Sequence, residues 1–295
     1  MMDIEFKPLE IQDKAIFNRY FKEDPPEISE LTFTNLFMWH CLYHPVWAEL
    51  DDLLLIVMNP DGSSPYGLQP VGMGDKQRAT EIVLAYLENK SDKPRISRAG
   101  EGFVKGVDKT RYICTPDRDN SDYVYKTTDL ISLSGRKYHR KKNHLNQFNK
   151  SYQAEYRKLD SDLVESFINM QEEWCRMREC VENPNLLSED YAVRRALIYF
   201  EQLDYSGGAV FVNGRMEAFS LGEILNPGTA VIHIEKANPN IPGLYTAINQ
   251  MFTANAWPDT EFINREQDLG IDGLRKAKES YYPHHMVNKY TIERI

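Results

Sequence analysis

Gly208-Ala-Val-Phe-Val-Asn-Gly-Arg-Met-Glu-Ala-Phe-Ser-Leu-Gly-Glu-Ile-Leu225 decides the fold class of this chain. Two apolar runs, Gly208–Val212 and Met216–Leu225, flank Asn213-Gly214. Asn-Gly tolerates the positive φ angles of a tight type I′ turn, so the stretch predicts a β-hairpin. Alternation continues downstream. Thr229–Lys236 predicts a strand, and Pro242-Gly243 opens a helix with Leu244, Ile248 and Met251 on its inner face. Glu261–Asn264 is a short strand, 271–281 a helix and Met286–Glu293 a final strand. Upstream, Leu163, Phe167, Met170, Trp174 and Met177 form one stripe of a helix over 161–179. Ser188 is placed to cap a helix running through Leu203.

The first half repeats this grammar. Residues 34–43 are helical in pattern, and Val46–Leu50 and Leu53–Met58 make a hairpin about Asp51-Asp52. Residues 60–74, rich in Pro and Gly, read as loop and strand, 75–89 as a helix and 121–127 as a strand. The expected class is α+β: two successive units, 1–133 and 134–295, each with a mixed sheet packed by helices.

At 295 residues the chain is long enough for two cores. The run Leu53–Met58 is far too short to span a bilayer, and acidic residues interrupt the N-terminus, so neither an integral membrane segment nor a signal peptide is expected. Cys41, Cys114, Cys175 and Cys180 have no CxxC or metal-ligand spacing and read as reduced thiols of a cytoplasmic protein. There is no serine nucleophile elbow, Walker loop or zinc-protease motif.

Charge patterning is more specific. The net charge is -9, yet Ser134-Gly-Arg-Lys-Tyr-His-Arg-Lys-Lys-Asn-His-Leu-Asn-Gln-Phe-Asn-Lys150 reverses the sign, with no acidic residue between Asp129 and Glu155. On a helix, Tyr138, Leu145, Phe148 and Tyr152 fall near one side, and Arg136, Arg140, Asn143 and Gln147 on another. Arg136, Lys137, Arg140, Lys141 and Asn143 are suited to phosphate contacts, with Tyr138 and His139 available to stack on a base. The competing reading is a solvated helix face with its apolar side in the core.

Three segments carry a family resemblance: Leu133–Phe148, His233-Ile-Glu-Lys236 and Ile263-Asn-Arg-Glu-Gln-Asp-Leu-Gly-Ile-Asp-Gly-Leu-Arg-Lys-Ala-Lys278. The third is the most specific. With them the chain resembles, over nearly its whole length, the proteins sharing the phosphatidylglycerol lysyltransferase C-terminal domain. That family is similar in fold to Fem-type aminoacyl transferases, built from two tandem domains like those of the Gcn5-related N-acetyltransferases (GNAT). The resemblance implies transfer of an aminoacyl or acyl group. The donor would be aminoacyl-tRNA or acyl-CoA, with tRNA as partner. The resemblance does not fix the acceptor, which is expected to be an amine or hydroxyl of a small molecule or peptide. No metal or resident cofactor is implied.

The candidate catalytic residues are Glu223, on the strand that borders the acyl carbonyl in GNAT enzymes, and His233 with Glu235, which alternation places on one strand face. Tyr245 is a candidate proton donor to the leaving group. Asn264, Arg265, Glu266 and Asp268 cluster after a short strand, with Arg265 able to grip a carboxylate or phosphate; Lys236 completes the substrate-binding set. Each has a structural alternative, an ion pair or a helix cap. GNAT proteins that use acetyl-CoA carry a Gln/Arg-x-x-Gly-x-Gly/Ala loop; here Ala237-Asn-Pro-Asn-Ile-Pro-Gly-Leu-Tyr245 keeps one glycine, and Pro242 lacks an amide hydrogen. This favours an aminoacyl-tRNA donor over an acetyl-CoA-dependent N-acetyltransferase, or a non-catalytic module binding RNA or a charged metabolite.

Overall fold

The computed structural model describes residues 4–295. The described residues form two compact units, one of residues 4–122, 267–272 and 286–295 and the other of 123–266 and 273–285.

In the first unit, β1 (Lys7–Pro8), α1 (Lys14–Glu23), α2 (Phe33–Met38) and α3 (His40–Tyr43) precede a hairpin of β2 (Val46–Leu50) and β3 (Leu53–Met58). Asp51 and Asp52 both have positive φ, as the two-residue turn requires. The single helix expected over 34–43 breaks at Trp39. Short strands β4 (Tyr66–Gly67) and β5 (Val71–Gly72) lead to α4 (Lys76–Leu87), then β6 (Arg95–Gly100), α5 (Glu101–Lys105) and β7 (Tyr112–Lys126). Asp75 starts α4 by accepting the Gln77 and Arg78 amides at 3.0 Å. The buried face of α4, Val83, Leu84 and Leu87, packs in one core with Leu53, Leu55, Val57, Ile96 and Ile292.

The second unit holds α6 (Thr127–Ser132), α7 (His139–Ser151), β8 (Ala154–Lys158), α8 (Val164–Met177) and α9 (Pro184–Ile198). These are followed by β9 (Ser206–Val212), β10 (Arg215–Asn226), β11 (Thr229–Ala237), α10 (Leu244–Ala256), β12 (Phe262–Asn264) and α11 (Asp272–Glu279). Strand β13 (His285–Arg294) returns to the first unit, where Lys289 pairs with Gly100 and Ile292 with Ile96 of β6. The second unit's sheet runs β12-β11-β10-β9-β8, and the Val124–Lys126 end of β7 pairs with β12. The β11–β12 pairing is parallel, and those of β10 with β9 and β11 are antiparallel. The sheet is mixed and packed by helices, as the α+β reading requires. On α8, Phe167, Met170 and Trp174 are buried, and Phe167 meets Phe219 of β10 at 5.2 Å between ring centroids.

Two expectations are corrected here. Asn183, not Ser188, caps α9, and Pro184 occupies the first turn; Ser188 instead donates to the Pro184 carbonyl one turn back. Cys175 and Cys180 form a disulfide rather than two thiols, because the chain turns back at Glu179, which has positive φ, and the Cα atoms come within 5.0 Å. No helix among the described residues is long and apolar enough to cross a membrane.

Candidate functional site

The β10–β11 pairing contains an irregularity that shapes the second unit. Leu221 pairs with Ile234 and Gly222 with Ile232, so His233 is an extra residue on β11. Such a bulge kinks the strand and re-aims a side chain. Gly222 is required here, since a Cβ would lie 2.3 Å from the Val231 carbonyl oxygen. His233 sits between two carboxylates: Nε2 lies 2.8 Å from Glu223 Oε1 and Nδ1 2.8 Å from Glu266 Oε1. Burial by itself opposes a charge on the ring. The hydrogen bonds to Glu223 and Glu266 outweigh it and push the pKa up to about 10. At neutral pH His233 is therefore an imidazolium donating from both nitrogens.

Glu266 is held by its backbone. It has positive φ, and its amide donates to Asn264 Oδ1 at 2.8 Å. Asn264 is fully buried at the end of β12. The pairing expected between His233 and Glu235 does not form. Glu235 accepts instead from Arg265 Nη2 and Asn249 Nδ2, each at 2.9 Å.

Arg265 connects the strand end to the basic helix. Its guanidinium lies 4.8 Å from the Tyr281 ring centroid and 5.6 Å from that of Tyr125. Lys141, on α7, places Nζ 3.9 Å from the same Tyr281 ring. Burial pushes the Lys141 pKa down to about 8, and the Arg265 charge adds to the depression while Glu235 opposes it. Lys141 and Arg265, from distant sequence segments, thus meet on one aromatic wall, with Glu235 paired to Arg265.

The other basic residues are differently placed. Arg136 and Arg140 are exposed, and Lys137 is paired with Asp129 at 3.2 Å. Asn143 hydrogen-bonds His139 at 3.1 Å. Tyr138 is fully buried, its hydroxyl donating to the Tyr281 carbonyl at 2.9 Å, so it is not available to stack on a base. Lys236 is buried against Trp174, 3.7 Å from the ring, and ion-pairs with Glu189; burial lowers its pKa. Tyr245, in the first turn of α10, accepts from Trp174 Nε1 at 3.2 Å. Asp268 belongs to the first unit, where Arg118 holds it at 3.1 Å.

Gly243, the one glycine left from the pyrophosphate-loop pattern, has positive φ, and a Cβ there would lie 2.6 Å from the His144 carbonyl oxygen. Packing of α10 on α7 thus accounts for it. Sequence reasoning missed Tyr125, Tyr281 and Asn249, which wall and brace the site. Aromatic and amide side chains in and beside regular elements carry no signal that separates such a role from core packing. Among the described residues no His/Cys/Asp/Glu group is arranged to hold a metal.

Residues 24–293 match the family described as phosphatidylglycerol lysyltransferase, C-terminal. The chain belongs to this family. A solved structure from Bacteroides thetaiotaomicron, a conserved protein of unknown function, is similar at 31% identity, with a TM-score of 0.92 over 99% of this chain and 100% of that one. The C-terminal domain of an Agrobacterium fabrum protein described as a lysylphosphatidylglycerol synthetase is similar at 11% identity, TM-score 0.67, over 96% and 91% of the two chains. FemX is similar at 9% identity, TM-score 0.58, over 99% and 98%. A tandem GNAT protein of the clavulanic acid biosynthesis pathway is similar at 8% identity, TM-score 0.50, over 99% and 98%. These three likenesses extend the fold to GNAT-like and Fem-type architecture. The match to a curated relative, an uncharacterized Mycoplasmoides gallisepticum protein, is 24% identical over 185 residues and spans 57% of that relative and 60% of this chain.

Proposed function

We propose that this family member is an aminoacyl transferase whose reaction takes place in the second unit. The observation carrying the reading is the meeting of Lys141 and Arg265 on Tyr281, with Glu235 bonded to Arg265. A region with two cations against one carboxylate suits a donor rich in negative charge, and aminoacyl-tRNA is such a donor. Its approach would follow Arg136, Lys137, Arg140 and Lys141, with Asn143 adding a neutral contact. In the transfer, an acceptor amine or hydroxyl, on a small molecule or peptide, attacks the ester carbonyl. The ester C–O bond breaks, and the proton that the acceptor gives up is passed on to the departing ribose oxygen. Tyr245 is the proposed donor of that proton, with Lys236, Asn264 and Glu266 shaping the substrate side. His233 serves as a fixed positive charge and not as the base, since a group with a pKa near 10 holds its proton at neutral pH. The two units are proposed to represent tandem GNAT-like domains.

A second reading is favoured by a specific observation. Glu223 and Glu235 both sit in ion-pair networks, Glu223 with His233 and Glu235 with Arg265. A base must meet the acceptor's proton, and both carboxylates already spend oxygens on cations of the protein. This arrangement supports a non-catalytic module that binds RNA or a charged metabolite.

The test is fluorescence anisotropy of charged and uncharged tRNA across a salt series, with the native protein and an Arg140→Glu, Lys141→Glu double variant. Salt-sensitive binding that prefers charged tRNA and is lost in the variant is expected. Equal binding of both tRNA forms selects the binding module, and absence of binding at low salt rejects tRNA as donor.

A further inference from the structure

The second unit contains a cationic pair that its own side chains leave incompletely matched. Arg265 uses Nη2 on Glu235, while Nη1 is buried with no hydrogen-bond partner among the described residues. A buried donor left unpaired is costly to the folded state. Lys141 makes neither a hydrogen bond nor an ion pair among the described residues; its ammonium rests on the Tyr281 ring alone. Glu235 cannot serve both cations fully, since its second oxygen accepts from Asn249. The exposed Arg140 adds to the positive potential at Lys141.

We propose that Lys141 and Arg265 together form a subsite for one phosphate group, with Tyr281 as its wall. The guanidinium supplies the unused Nη1–H, the ammonium supplies a mobile point charge, and both groups lie against the Tyr281 ring. A phosphate suits the subsite better than a carboxylate. It spreads its charge over several oxygens that reach two cations at once, and the excess here is of positive charge. Arg140→Glu in the preceding test disturbs the rim of this subsite; Lys141→Glu destroys it. The inference draws on the transferase reading only for where the phosphate comes from.

The experiment titrates the full chain at low ionic strength with inorganic phosphate, dimethyl phosphate and acetate, by calorimetry. In parallel, the ε-carbons of 13C-labelled lysine are followed by NMR, with the Lys141 signal assigned by its loss in Lys141→Gln. Saturable binding of inorganic or dimethyl phosphate is expected. It should weaken about tenfold in Lys141→Gln and in Arg265→Lys, a change the size of one charge-assisted hydrogen bond. Lys142→Gln should leave it unchanged, since Lys142 is exposed and bonds the Ser132 carbonyl. Phosphate should also move the Lys141 titration midpoint upward from about 8. Arg265→Lys keeps a cation beside Glu235, so its effect is separable from collapse of the network.

A preference for dimethyl phosphate assigns the subsite to a diester, and one for inorganic phosphate to a monoester; both support it. Binding of acetate alone, binding indifferent to Lys141→Gln, or no binding overturns it. Preferential binding of charged tRNA with phosphate binding indifferent to Lys141→Gln removes the subsite and keeps the transferase. A phosphate subsite without any preference for charged tRNA does the reverse.

Discussion

Lys289 in the first unit and Lys141 in the second are both withdrawn from bulk water, yet their amines shift in opposite directions. Lys289 is fully buried on β13 and meets Asp122 and Glu30, each at 2.6 Å, with Ser29 Oγ at 3.3 Å. Arg98 approaches Glu30 at 3.7 Å, so two cations face two carboxylates. Burial alone would lower the Lys289 pKa, but Asp122 and Glu30 overcome it and raise it. At Lys141 burial meets a neighbouring cation and only part of one carboxylate, and the pKa falls to about 8. A lysine buried with a full set of partners braces a fold. One buried without them is poised to meet something outside the chain.

Four measurements break or sharpen this contrast. Lys289→Met strands Asp122 and Glu30 in the interior and should cost about 3–5 kcal/mol by urea denaturation. A loss under about 1 kcal/mol would mean the network is not closed. His233→Gln removes a charged partner from Glu223 and Glu266 and should cost about 2–3 kcal/mol at neutral pH. Its sign with pH is fixed. The folded pKa of about 10 lies above the ordinary 6.5, so the stabilisation is complete below 6.5 and is lost as pH rises through 10. Native protein should therefore lose stability over that window while His233→Gln loses less; parallel curves would refute the imidazolium assignment.

Glu235→Gln should cost about 1–2 kcal/mol, because Arg265 loses its charged partner. It should also move the Lys141 midpoint further below about 8, which lysine 13C NMR would follow. An unmoved midpoint would separate Lys141 from the Glu235–Arg265 pair. Lys141→Met carries the smallest effect and the opposite sign: a gain of about 0.5–2 kcal/mol at neutral pH. The folded pKa of about 8 lies below the ordinary 10.5, so Lys141 makes native stability rise with pH between them. In Lys141→Met that rise should vanish. Destabilisation by Lys141→Met would place the lysine among the braces.

Most of the fold was legible because short-range patterning and tertiary packing agree. The Asn213-Gly214 hairpin, β11, α10, β12 and α11 lie where turn chemistry and periodicity put them. Edge strand β8 was not legible, since Ala154–Lys158 is polar and only one residue in two needs to face the sheet. Nor was the return of β13 to β6, a pairing set by contacts almost two hundred residues apart. Within the site, residue types were readable and partners were not. Alternation placed His233 and Glu235 on one face, but the bulge at His233 and the left-handed turn at Glu266 decided which carboxylate each cation meets. Whether a lysine such as Lys141 stays bare depends on every neighbour, and no local pattern encodes that.

The position of Lys289 also sets an order of assembly. Chains fold as they are made, in the direction of synthesis. Here the first unit's sheet needs a strand that is translated after the entire second unit, and until it arrives Asp122 and Glu30 have no buried lysine to neutralise them. The unit begun first is therefore finished last, and a ribosome stalled between the end of the second unit and Lys289 holds a chain whose beginning still lacks its last strand.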